Sequence, residues 1–488
     1  MTVAAAGSKT KRINLDFFVK FAVMVVIMIS GFFMPPIEPM TQLGMEVLGI
    51  FIGLIWGWSC VDFICSSLLG IVLLGCTDYG TVQQVIAQGF SANLFLTVFF
   101  FFVLSAYLER IGLFEKLANW FVSRKINIGR PYVFSLSLML ASYVMAIFIS
   151  VTVTIIIMWT MFYSICKVVG IKPHSKYAVL EMLGIALAAD VGFTLFPFKA
   201  MALLVIESIE TNLGLTPSYL GWTGASFVLS MGTVLLYLLL MKYVLRPDVS
   251  LLMSQEDRFA HMRAISLSGE QKIAAVIMLA FLVIVMAPSL LPAGELKSLL
   301  NTLGIVGALA LSVIILCVLR KKDGSAFMIF NKDANSNVNW EVLLLFAATT
   351  PCGTALASDA AGIMPALQMV LDPIFNGMNP ILFTIVIVVL FGTLTQVAHN
   401  MVLAAVAVPI MCQFAIPLGA DPLVVGVLLA FVLNIGICTP GGSTPGALAF
   451  ANPKWITTKQ AYKYNAIIFV MYMIFVACIG YPVASLFM

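Results

Sequence analysis

Two polar stretches stand out in a region that carries no Lys or Arg, residues 333–453. The first, TQVAHNM (residues 395–401), groups a Thr, a Gln, a His and an Asn between apolar runs. The second, CTPGGSTPG (residues 438–446), joins two prolines to three glycines and three hydroxyl residues. Two matching interruptions lie earlier, ISVT at residues 149–152 and DVGFTLFPFK at residues 190–199. Proline removes an N–H donor and glycine disfavours helix. An apolar helix therefore breaks at such places, and its ends are left with free backbone groups. Free carbonyls can coordinate a cation, and orphan N–H groups at the positive end of the next half-helix can hold an anion. A lone Ser or Thr in an apolar helix ordinarily hydrogen-bonds to its own backbone. Four grouped interruptions point instead to a solute site at mid-membrane.

Three ionisable residues accompany them. Lys199 lies inside an apolar run, and an intramembrane lysine is a functional candidate by default. It either pairs with a bound anion, replaces a bound cation, or extends to the membrane surface. Asp190 reads as a cation ligand, a proton carrier, the partner of Lys199 or a helix-end carboxylate facing water. His399 can bind an anion when protonated, supply a coupled proton, or act as a neutral hydrogen-bonding group. His174 and His261 read as loop residues. The nine cysteines show no CxxC or metal spacing and read as small buried hydrophobes.

The elements that must carry these groups follow from composition. Of 488 residues, 61% are hydrophobic and 10% charged, with a net charge of +4, and mean hydropathy is +1.07. That excludes a soluble domain and predicts an all-α polytopic membrane protein. Apolar runs place about eleven spans near residues 17–34, 44–60, 61–76, 93–108, 177–210, 219–242, 273–292, 303–319, 340–371, 422–452 and 464–485. With Lys9, Lys11 and Arg12 on the cytoplasmic side, the other basic clusters fall on that side too, and the C-terminus falls outside. This holds if residues 131–168 and 380–417 each enter and leave on one face. They are expected as re-entrant hairpins, the first from the cytoplasm and the second from outside. A rival reading makes each of them two short full spans. The segment from Glu109 to Arg130 reads as an interfacial amphipathic arm.

The order helix, hairpin, interrupted span occurs twice. Ser150 follows Gly112 by 38 residues and His399 follows Gly362 by 37. An odd number of spans separates the halves, so the repeats are expected to be inverted. The chain then divides into scaffold helices (1–92), a first repeat (93–215), linking helices and cytoplasmic loops (216–335), a second repeat (336–455) and a C-terminal helix (456–488).

The segments NWEVLLLFAATTPCGTALASDAAGI, TQVAHNMVLAAVAVPI and CTPGGSTPG resemble the second repeat of the divalent anion:sodium symporter family, in the ion-transporter superfamily. FISVTVTIIIM and LGIALAADVGFTLFPF resemble the first. The likeness covers roughly residues 90–215 and 335–455. It implies a homodimer that moves a dicarboxylate, tricarboxylate or sulfate with sodium, sliding a transport domain past a fixed scaffold. The family's Ser-Asn-Thr triplets fall on Ser150, Val151 and Thr152 and on His399, Asn400 and Met401. The first loses its Asn, and the second keeps only its Asn. Ala146 stands where the family has another Ser, and the Pro late in the first hairpin is missing. Thr395, Ala398, Pro409, Thr439 and Pro440 match. The resemblance thus implies substrate contacts from both triplets, Thr439, Pro440 and Lys199. It implies sodium ligands at Thr395, Ala398, Asn400 and Cys438, with a weakened first site at Ser150 and Gly192. Sodium would be a coupling ion rather than a tightly held cofactor.

The expectation is a secondary transporter for small organic anions in the plasma (inner) membrane, coupled to sodium and, through Asp190 or His399, to protons. Its partners are the anion and the lipid, with no nucleic acid. An anion/anion exchanger is the alternative. A membrane enzyme is disfavoured by the lack of HExxH, GxSxG and paired acids, and an ATPase by the lack of GxxxxGK[ST]. A channel is disfavoured by the inverted repeats and closed tips.

Overall fold

A computed structural model of the chain describes residues 15–253, 267–321, 323–375 and 377–488. Lys9, Lys11, Arg12 and His261 lie outside the described residues. Among those described, ten helices are long and apolar enough to cross a bilayer, or up to eleven if one sharply bent pair counts as a single span. The protein is all-helical and polytopic.

Four helices open the chain: α1 (Leu15–Phe33), α2 (Gln42–Cys60), α3 (Phe63–Leu74) and α4 (Val82–Phe90). α2 presents Gly49, Gly53 and Gly57 at four-residue spacing: a Cβ at Gly49 would press on the Gly31 backbone, one at Gly53 would overlap Met28, and one at Gly57 would overlap Met24 of α1 and Ser66 of α3. In lipid no hydrophobic force drives helices together, so a smooth glycine stripe that admits close backbone contact is what joins this pair.

Two runs of six helices follow the same order. The first is α5 (Asn93–Arg110), α6 (Leu113–Val122), α7 (Pro131–Phe148), α8 (Val151–Val169), α9 (Lys176–Phe193) and α10 (Ala200–Leu213). Between the runs lie α11 (Tyr219–Leu239), α12 (Gly269–Leu290), α13 (Glu295–Val318) and α14 (Phe330–Asn337). The second run is α15 (Trp340–Ala357), α16 (Ile363–Phe375), α17 (Pro380–Leu394), α18 (Asn400–Ala415), α19 (Pro422–Asn434) and α20 (Thr444–Phe450). The chain ends in α21 (Thr458–Phe475) and α22 (Tyr481–Phe487).

The breaks fall where the sequence weakens the helix. α9 and α10 part at a segment containing Pro197, and α19 and α20 part at Pro440, Gly441 and Gly442. The segment 340–371, expected as one span, is two helices. Gly362 adopts a left-handed φ of 67° and turns α15 into α16, as Gly112 at φ 64° turns α5 into α6. The span expected at 303–319 is the second part of α13, which is kinked at Gly304 (φ 59°). α16 and α17 then meet at 107°. The second elbow is clamped to the opening helices: Thr41 N–H donates to the Ala361 carbonyl at 3.1 Å and its hydroxyl to the Ala360 carbonyl at 2.6 Å. The cysteines correct the sequence expectation. Cys166, Cys352 and Cys412 are buried, but Cys65, Cys76 and Cys478 are exposed; as small apolar groups they cost little facing lipid.

α5 is fixed to the linking segment by a bidentate ion pair. Arg110 Nε and Nη2 donate to Asp333 Oδ1 and Oδ2 at 2.6 and 3.1 Å, and Nη2 also reaches the Phe327 carbonyl at 2.8 Å.

Candidate functional site

Both hairpin tips and both helix breaks border one cavity of about 180 Å³. Ser150, Val151 and Thr152 come from the first tip, and His399, Asn400 and Met401 from the second. Asp190, Phe193, Phe198 and Lys199 come from the first break, and Asn434, Ser443 and Thr444 from the second. Phe101, Phe102 and Ser105 of α5 close one wall.

Lys199 occupies the position just before α10, with extended backbone (φ −81°, ψ 147°). It is 1% exposed. Its Nζ lies 4.1 Å from the ring centre of Phe101 and 4.7 Å from that of Phe193, and it has no hydrogen-bond partner. A cation gains something from ring faces, about 2 kcal/mol when desolvated, but these do not replace an anion. The position is also the positive end of a helix dipole, so ammonium and orphan amides of α10 add to one electropositive corner.

Asp190 sits on the last turn of α9, 2% exposed. Asn434, the last residue of α19, donates to its Oδ1 at 3.1 Å and to its backbone carbonyl at 2.9 Å. The two broken spans are thus joined at their breaks. Asp190 Oδ2 is buried without a partner. One cavity therefore holds the buried carboxyl group of Asp190 at the negative end of α9 and the buried amino group of Lys199 at the positive end of α10.

At the second tip His399 caps α18. Its Nδ1 accepts the Met401 N–H at 3.3 Å, and Asn400 Oδ1 accepts the same N–H at 2.8 Å. The His399 ring packs on Phe63 at 5.0 Å. Behind it, the tip is stitched to the second break. Thr395 Oγ1 donates to Leu433 O at 2.9 Å, and Gln396 Nε2 donates to Gly392 O at 3.0 Å and Ile435 O at 2.5 Å. Cys438 N–H donates to Gln396 Oε1 at 3.0 Å, Thr439 Oγ1 donates to the Gln396 carbonyl, and Ser443 Oγ donates to Gly436 O at 2.9 Å.

Of the residues singled out in the sequence, Ser150, Val151, Thr152, Asp190, Lys199, His399, Asn400 and Met401 line the cavity. Thr439 and Pro440 do not: Thr439 is held by Gln396, and Pro440 is exposed. Thr395, Ala398 and Cys438 belong to the stitched loop behind the cavity. Gly192 lies in the α7–α9 contact, where a Cβ would collide with the Tyr143 backbone. Sequence reasoning passed over Asn434 and the Phe101–Phe198 wall, and it noted Gln396 only as a member of the polar cluster, without its partners. An amide-bearing residue directly before a Pro/Gly break was the available signal for Asn434. The phenylalanines were indistinguishable from lipid-facing ones.

An all-helical membrane protein whose broken helices enclose a small charged cavity has the construction of a membrane transporter. Residues 51–430 match the citrate transporter family model (CitMHS), and the chain belongs to that family. It is 23% identical over 448 residues to the sodium-dependent dicarboxylate transporter SdcS of Staphylococcus saprophyticus, covering 87% of this chain and 83% of that protein. It is 24% identical over 453 residues to its Staphylococcus aureus counterpart, covering 88% and 83%. The fold is shared with the Alcanivorax borkumensis YdaH transporter (TM-score 0.56, 12% identity, 89% of this chain and 99% of that one). It is shared also with Neisseria gonorrhoeae MtrF (TM-score 0.53, 13% identity, 95% and 94%). The family consists of transporters, not enzymes.

Proposed function

We propose that the chain is a secondary active transporter of small carboxylates, coupled to sodium and working by elevator-type alternating access. Lys199 carries the reading. A buried, unpaired charge costs several kcal/mol, and a carboxylate entering the cavity would supply its missing partner. The substrate class and the coupling ion are supported by the names of the relatives, sodium-dependent dicarboxylate transporters. The cavity offers one lysine against one aspartate in about 180 Å³, which favours a small mono- or dicarboxylate over a trivalent anion. In this reading Ser150, Thr152, His399 and Asn400 orient the carboxylate. Sodium is held behind the second tip by oxygens of Thr395, Ala398, Asn400 and Cys438, and Asp190 carries any coupled proton. The runs α5–α10 and α15–α20 are inverted repeats whose hairpins re-enter and form the moving body. The remaining helices form a scaffold, paired in a homodimer in the plasma membrane with the N-terminus inside.

One observation favours a second reading, exchange of one carboxylate for another without net cation flow. A tethered ammonium at the first break, in the cavity shared with the tip where Val151 stands in place of the family's Asn, can do a mobile cation's electrostatic work permanently. Purified protein in liposomes separates the two. An inward sodium gradient is expected to concentrate labelled succinate. Uptake that ignores sodium but requires succinate inside supports exchange, and no succinate movement under either condition overturns the carboxylate assignment.

A further inference from the structure

Glu207 has no part in the cavity described above. It lies two turns past Lys199 on α10, and its Oε2 is buried without a hydrogen-bond partner. It faces a separate pocket of about 30 Å³ formed by α5, α10, α15 and α18 with Phe51 of α2. α5, α10 and α18 also border the solute cavity roughly one turn away, and α15 about two turns away. Leu94, Leu204 and Ala405 line the small pocket where Val98, Ala200 and Met401 line the large one, and one turn is about 5.4 Å.

The geometry points to this pocket as a binding site for a single small monovalent cation, distinct from the hairpin tips. Its size admits an ion or a water or two and excludes any organic anion. Its surface is largely apolar, and the side-chain oxygens that interrupt it come from Glu207, Ser208, Thr211, Thr349, Thr350 and Thr354. The Thr349 hydroxyl spends its proton on the Leu345 carbonyl at 2.8 Å, which leaves its lone pairs to coordinate, and the Thr354 hydroxyl donates to the Thr350 carbonyl at 3.0 Å. No Lys, Arg or His lines the pocket to neutralise Glu207. Carboxylate and hydroxyl oxygens are the ligands of hard cations. A single carboxylate balances one positive charge, so the set fits sodium better than a divalent ion. Occupancy would fix α10 against α15 and α18 one turn from the carboxylate's cavity, which gives a direct route for cation binding to stiffen the solute site.

The coupling role rests on the transporter reading, but binding itself does not, so binding is tested without transport. Purified protein is heated in detergent across a NaCl series, with choline chloride holding ionic strength and no carboxylate present. Wild type should gain thermal stability with sodium, since a ligand of the folded state stabilises it. Glu207→Gln should shift the sodium midpoint at least tenfold upward, and Glu207→Asp should shift it less. Thr395→Ala, which perturbs the tip, should leave the Glu207-dependent part in place. An unchanged midpoint in Glu207→Gln, or no sodium response in wild type, overturns the site. So does a variant that alters only the pH dependence of stability, because the pocket would then hold just a proton. If Glu207→Gln does not fold, Glu207→Asp decides by the same midpoint. Loss of sodium binding in these variants with no succinate uptake by wild type would sink the transport reading and keep the site.

Discussion

At the first hairpin tip Ser150 turns inward to cap its own helix, accepting the Val153 N–H at 3.3 Å. At the second, Thr395, Gln396, Cys438 and Thr439 bind the tip to the adjoining helix break. The first break has no such lacing. It is filled by phenylalanine rings and the Lys199 ammonium. Two segments with the same order of elements thus meet the same problem, irregular backbone away from water, by different means. One satisfies carbonyls with side-chain amides and hydroxyls. The other brings a fixed charge and leaves it open to a ligand. A cavity can be electrically asymmetric even when its walls come from look-alike halves.

Lys199→Gln should have the largest effect. It removes the charge from the open side and is expected to lower carboxylate uptake by about a hundredfold, in line with the several kcal/mol at stake for a buried charge pair. Lys199→Arg should retain part of it. Uptake within twofold of wild type would mean that the first tip holds no anion. Gln396→Ala tests the laced side. It strands the Gly392 and Ile435 carbonyls and the Cys438 N–H, and should cost about 2–4 kcal/mol of stability, read as a fall in thermal unfolding temperature. The two elbows give a finer contrast. Gly362→Ala would drive a methyl into the Pro39 carbonyl besides imposing left-handed strain, whereas at Gly112 only Glu115 Oε2 comes near, at 3.7 Å. Gly112→Ala should therefore cost about 1 kcal/mol and Gly362→Ala clearly more, by the same measurement. His399→Ala should be mildest for stability, less than about 1 kcal/mol for a lost cap, because Asn400 Oδ1 still accepts the Met401 N–H at 2.8 Å; a fall in unfolding temperature larger than that of Gly112→Ala would show that His399 carries the cap.

Much of this was legible in sequence. The TQVAHNM and CTPGGSTPG stretches stood out because polar and helix-breaking residues are costly among lipid chains. Both helix breaks fall where Pro197, Pro440 and the glycines put them. Gly112 and Gly362 were readable as matched ends of an apolar helix, yet glycine between apolar runs also occurs inside continuous spans, and the run of apolar residues carried on past Gly362. Hence residues 340–371 looked like one helix. Of the residues that line the cavity, those of the two tips, Asp190 and Lys199 stood out in the sequence, and Asn434 and the phenylalanines did not. Which phenylalanines face Lys199 rather than lipid depends on helix rotation, and apolar-all-round sequences carry no periodicity to report it. Gln396 was seen as a potential site group, yet its partners lie 39 and 42 positions away, a pairing that only the folded chain displays. Glu207 lay inside an expected span without adjacent helix breakers to draw attention to it.

The Thr41 clamp on Ala360 and Ala361 has a mechanical consequence. It pins the entry of α16 to the opening helices, so the far end of that arm is where freedom begins. If the proposed elevator movement takes place, a rise or fall of the α17–α18 pair against α1 and α2 would have to pivot at the 107° corner between α16 and α17. α16 would then be a lever with one anchored end, and its thirteen residues, about 20 Å of helix, would limit the length of the stroke.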